Sequence, residues 1–221
     1  MKSLKKNYII QAWLVLLLCL FFGSSLAGIQ LTLSPKIFEN KKNETLQKIP
    51  GLVFGESQSK KDKPSGKEIN INSFFISSEK NGKKKLYNVY EVKDKNGQIL
   101  GFVSKSSGQG YADKIEILVG FDAELETLTG LFVLDQKETP GLGNKITETN
   151  WRKQFLGKKT GAALLAVKTG AKKENEIDAI TGATISSRSV LNIVNSMMTD
   201  LQEPLRKKLL DYHKKNHSGV L

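Results

Sequence analysis

The chain has 221 residues and a formal charge of +12, a size that fits one globular domain with attachments. Its single cysteine, Cys19, excludes an internal disulfide framework and a cysteine-built metal site. The charge is uneven: residues 36–95 hold 14 basic against 8 acidic side chains and residues 96–221 hold 17 against 14, so the second half is nearly balanced. The lysines are scattered without interleaved aromatics, and the densest run, Lys83 to Lys85, reads as a solvated turn, so no nucleic-acid partner is expected.

No charged side chain occurs from Asn7 to Pro35, and the apolar core runs from Tyr8 to Gly28. A helix of that length crosses a hydrocarbon layer of about 30 Å. Lys2, Lys5 and Lys6 precede it, which places residues 1–7 in the cytoplasm and everything after Gly28 outside. "SLA" at Ser25 to Ala27 also reads as a signal-cleavage site, but the apolar run is long for a signal peptide, which favours a retained anchor. Both alternatives export the rest.

A second helix is expected from Ser34, with the serine as its cap, Pro35 at its first position and Pro50-Gly51 as its end. Gln58 to Lys67 reads as a polar loop. From Leu86 the apolar period becomes two. "DKNG" at Asp94 to Gly97 signals a hairpin returning along Ile99 to Ser104. Further strands, Ile115 to Phe121 and Leu128 to Leu134, follow through short links, one of them glycine-rich at Gly108 to Gly110. That succession predicts an antiparallel meander, hence an α+β fold and not a doubly wound sheet.

Pro140, Gly141 and Gly143 interrupt regular structure in the next loop and let backbone approach a ligand. "NWRKQFLG" predicts a helix with Trp151 and Phe155 on one face. Ala162 to Val167 and Ile177 to Ile180 read as short strands. From about Ile185 the apolar positions Val190, Leu191, Val194, Met197, Met198 and Leu201 mark one buried helical stripe that Pro204 ends or bends. His213 and His217 have metal-ligand spacing but stand in a lysine-rich tail expected to be frayed and exposed.

"IDAITGATISSRSV", Ile177 to Val190, gathers hydroxyls around a Gly-Ala step where this helix begins. Unpaired N–H groups and the helix dipole make that start suitable for a phosphate. The plainer alternative is that Thr184 or Ser186 only caps the helix. No phosphate-loop or dinucleotide-binding pattern is present, and both histidines lie in the tail, so hydrolytic triad chemistry is unsupported.

"DAITGAT", Asp178 to Thr184, resembles the D-x-x-[ST]-G-A-T signature of covalently flavinylated FMN-binding domains, and "ETPGLG", Glu138 to Gly143, resembles their second hallmark. Within that family the resemblance runs to the G component of Rnf ion-translocating electron-transport complexes, with the C component of sodium-pumping NADH:quinone reductases as the near alternative. It implies FMN joined through its phosphate to Thr184 by a dedicated flavin transferase. It makes Asp178, Gly182 and Ala183 the transferase-recognised positions, with Thr181 at the position that is Ser or Thr in the signature. Glu138, Thr139, Pro140, Gly141, Leu142 and Gly143 are then set against the flavin or its ribityl chain. Family members often carry His two residues before the Glu; here it is Gln136.

The implied protein is a single-pass inner-membrane flavoprotein that relays electrons among partner subunits of a translocating oxidoreductase and is not catalytic alone. Its expected divisions are residues 1–7, a transmembrane helix 8–28, a proximal region 29–85, an extracytoplasmic FMN-binding domain 86–203 with packed helices, and a basic tail 204–221. The rival is a membrane-anchored binding or scaffold protein with no flavin.

Overall fold

The computed structural model describes residues 8–55, 69–80 and 83–217. The chain divides into two units, Met1–Glu44 and Thr45–Leu221. Residues 1–7 and the expected loop Gln58 to Lys67 lie outside the described residues, as do the side chains of His213 and His217.

Helix α1 runs from Tyr8 to Phe54. In the first unit its apolar side chains, among them Leu16, Phe21, Phe22 and Leu26, are exposed. The helix is long and apolar enough to cross a membrane. The Thr32 and Ser34 hydroxyls donate to the carbonyls of Gly28 and Gln30, at 2.8 Å and 2.6 Å. This satisfies polar groups without water. The structure therefore corrects the separate helix expected from Ser34: that serine is helix interior, bonded backwards, and the helix continues through both Pro35 and Pro50.

In the second unit a five-stranded antiparallel sheet has the order β1-β2-β3-β4-β5. The strands are β1 (Asn70–Lys80), β2 (Lys83–Lys93), β3 (Ile99–Gln109), β4 (Lys114–Phe121) and β5 (Leu128–Asp135). The meander is as expected, with β1 added in front and with Lys83 to Lys85 opening β2 rather than making a turn. At the β2–β3 hairpin the Asp94 carboxylate accepts the N–H groups of Asn96 and Gln98, at 2.9 Å and 2.8 Å, and Gly97 supplies a φ of 80°.

Period-two alternation divides each strand between two cores. Tyr87, Val89, Phe102, Ile115, Ile117 and Val119 face one side. Tyr90, Val92, Val103 and Leu118 face the other, where Ile49 and Leu52 from the end of α1 cover them. Leu52 fits because β4 has no side chain at Gly120: a Cβ there would stand 3.0 Å from the Leu52 carbonyl oxygen.

After β5 come a 3-10 turn (Gly143–Thr147), the short helix α2 (Thr149–Arg152) and a second 3-10 turn (Lys153–Phe155). Trp151 and Phe155 meet edge to face at 5.2 Å, as their spacing predicts. Strands β6 (Leu165–Val167) and β7 (Glu176–Asp178) form a parallel pair. Helix α3 spans Thr184–His217 and lays Val190, Leu191, Val194, Met197, Met198 and Leu201 on the first core.

The expected fraying of the tail is corrected as far as His217. Helix α3 passes through Pro204, Leu205 is buried, and the Tyr212 hydroxyl donates to the Gly97 carbonyl at 2.6 Å. An interior proline costs about 3 kcal/mol. Burying one leucine recovers roughly 1.5–3 kcal/mol, and Leu209 and Tyr212 add to that side.

Candidate functional site

The start of α3 is held by its neighbours rather than by a side-chain cap. The Ala183 N–H donates to the Ile180 carbonyl at 2.9 Å, and the first turn closes with Ser187 N–H to the Ala183 carbonyl at 3.0 Å. The N–H groups of Thr184, Ile185 and Ser186 thus precede the first closed turn. Ser187 accepts the Ile180 N–H and donates to the Ala183 carbonyl, each at 3.0 Å. The Ser186 hydroxyl donates to the Glu138 carboxylate. Both serine hydroxyls are engaged inside the fold. The Thr184 hydroxyl has no protein partner among the described residues and sits on a half-buried side chain.

Around Thr184 is an open cleft of about 490 Å³. It is walled by Gly182 to Ser186 on one side, by Thr139, Leu142 and Gly143 on another, and by Tyr111 on a third. Tyr111, Leu142 and Ile185 are exposed, which gives the cleft an apolar rim. No lining side chain carries a formal charge.

The two sequence motifs meet here. Gly182 has a φ of 80°, and a Cβ on it would stand 3.0 Å from Leu142 Cδ2. A Cβ on Gly143 would stand 2.8 Å from Ser186 Oγ. Of the residues singled out in the sequence, Thr139, Leu142, Gly143, Gly182, Ala183 and Thr184 line the cleft.

Five others, Pro140 among them, stand outside its wall. Thr181 is exposed in the turn before α3, and Gly141 is exposed at the loop tip with a φ of 78°. Asp178 ends β7, and its carboxylate accepts the Ala171 N–H at 2.8 Å. Its backbone carbonyl accepts the Trp151 indole N–H at 2.8 Å, while its N–H donates to Gln154 Oε1 at 2.7 Å. Asp178 therefore braces the signature from behind. Glu138 is buried beneath the cleft, and Gln136 Oε1 accepts its N–H at 2.6 Å.

Sequence reasoning missed Tyr111 and Ile185 as wall residues. The glycine-rich link ending at Gly110 was the signal for the first. The second is an apolar residue at the helix start that stands apart from the buried stripe.

The cleft fits FMN in chemistry and scale. Its volume lies within the roughly 300–1,000 Å³ of small-ligand sites. It offers a hydroxyl nucleophile beside unpaired helix N–H groups, with aromatic and aliphatic surface next to them.

Comparison with known proteins agrees. Residues 110–199 match the family model described as FMN-binding domain. The chain is similar to the G component of the Na(+)-translocating ferredoxin:NAD(+) oxidoreductase complex of Acetobacterium woodii, 42% identical over 50% of this chain and 53% of that one. It is also similar to the C component of the Na(+)-translocating NADH-quinone reductase of Haemophilus ducreyi, 35% identical over 49% of this chain and 44% of that one. The chain spans about half the length of the curated relatives it matches. Among solved structures, the C component of the Na(+)-translocating NADH-quinone reductase of Parabacteroides distasonis shares the fold, with a TM-score of 0.54 and 23% identity over 73% of this chain and 92% of that one.

Proposed function

We propose, from the premise that residues 110–199 are an FMN-binding domain, that this chain is an electron-relay subunit of a membrane-bound, ion-translocating oxidoreductase complex. Its FMN is esterified through the phosphate to Thr184 by a flavin transferase, and its other partners are the membrane subunits of an Rnf-type complex. The anchor is the N-terminal part of α1, with the N-terminus in the cytoplasm and the sheet domain outside.

The observation that carries the reading is the meeting of both motifs on a cleft whose one uncommitted serine or threonine hydroxyl at the helix start is that of Thr184. When bound there, FMN supplies reversible electron uptake. The chain supplies the rest. The N–H groups of the first turn of α3 stabilise a phosphodiester charge next to Thr184. Tyr111, Leu142 and Ile185 offer exposed aromatic and aliphatic surface on which a planar ring system could rest. Thr139, exposed on the loop, would offer its hydroxyl to the ribityl chain.

The test is direct. The protein is expressed with a flavin transferase, extracted from membranes and digested with trypsin. The peptide Glu174 to Arg188 should weigh its sequence mass plus FMN less one water. An unmodified peptide from colourless, folded protein would overturn the reading in favour of a scaffold role.

A further inference from the structure

We infer that Glu138 is the positioning residue of the cleft, its one carboxyl group holding together the three segments that wall it. This rests on the proposed function only for what occupies the cleft. Oε1 accepts the Ala112 N–H at 3.1 Å, one residue beyond the wall residue Tyr111. Oε2 accepts the Ser186 hydroxyl, in the first turn of α3. The backbone of Glu138 leads directly into Thr139 to Gly143, the remaining wall.

The fit around this group leaves it little freedom. Glu138 is 4% exposed and Ser186 3%. A Cβ on Gly110 would fall on Oε1, and one on Gly143 would stand 2.8 Å from Glu138 Cβ and 3.0 Å from Oε2. Two glycines thus make room for one acid. A buried acceptor of this kind is costly to strip of its donors, and the donors are equally costly to strand.

The clasp sets the spacing between Tyr111, Leu142 and Thr184, and so the pose of any group attached to Thr184. Gln at this position keeps the contact. Its amide oxygen still accepts from Ala112, and its amide nitrogen donates to Ser186 after the hydroxyl turns. Ala abolishes both bonds.

Hydrogen exchange on the flavin-free full chain in detergent tests the clasp. Glu138→Ala should speed exchange about tenfold in three places together, residues 110–113, 139–145 and 184–187, while β2 to β4 keep their protection, and Glu138→Gln should restore the wild-type pattern. In protein made with the transferase, Glu138→Ala should also shift the visible flavin spectrum, and Glu138→Gln should return it. Acceleration in one segment alone, or uniformly across the domain, would make Glu138 an ordinary buried acid and sink the inference. If Glu138→Ala does not fold, Ser186→Ala decides: unchanged exchange at both 139–145 and 184–187 overturns the clasp. A wild-type chain that never takes flavin would defeat the proposed function and leave the exchange result standing.

Discussion

Thr184→Ala is expected to give a folded protein with no covalent flavin at all. The Thr184 hydroxyl has no protein partner among the described residues, so its removal leaves no stranded acceptor. Alanine is also the better helix former, by a few tenths of a kcal/mol. Stability should therefore stay within about 0.5 kcal/mol of the parent. Fluorescence on a denaturing gel should vanish completely, and Thr184→Ser should restore it. Both measurements are needed, because loss of flavin with loss of fold would say nothing about residue 184. Flavin retained on Thr181, Ser186 or Ser187 in the alanine variant would refute the choice of acceptor while keeping the class of chemistry.

Gly143→Ala should be the most damaging single-methyl change in the cleft. The added carbon would stand 2.8 Å from both Glu138 Cβ and Ser186 Oγ, and the first of these cannot swing aside as the end of a long side chain can. Overpacking of this kind costs about 1–3 kcal/mol. Relief by moving the loop away from α3 would open the cleft, so flavin incorporation should fall together with the urea midpoint. Gly157→Ala is the control. Its φ of 75° makes alanine strained, but nothing lies within 4 Å of the new carbon. It should cost about 1–2 kcal/mol from backbone strain without altering flavin yield. Equal flavin loss in both variants would show that the contact at Gly143 is not what matters.

Much of this was legible because local physics and fold agreed. Strands β2 to β5 alternate, their turns carry glycine and aspartate, and the stripe from Val190 to Leu201 is helical. Strand β1 was hidden because its inward positions, Phe74 and Ile76, are only partly buried and are interleaved with Phe75 and serines. The prolines misled for a related reason. Local rules make Pro50 and Pro204 breakers, but Ile49, Leu52 and Leu205 beside them are buried, and those contacts outweigh the local penalty. The site was legible as two motifs and not as a surface. Spacing brought Glu138 into view but could not tell that its carboxylate points beneath the cleft toward Ser186 and not into it. Nor could it bring Tyr111, from a different strand end, to the same wall.

A mouth built without charge also constrains traffic. Long-range attraction accelerates encounters only where fixed charges reach out to an approaching molecule, and its hallmark is a rate that falls steeply as electrolyte is added. Tyr111, Leu142 and Ile185 provide no such beacon. On the proposed relay function, the wall itself should add nothing to the ionic-strength dependence of electron exchange in stopped-flow traces, and whatever dependence there is should trace to charges beyond it, such as Asp113 and Lys137.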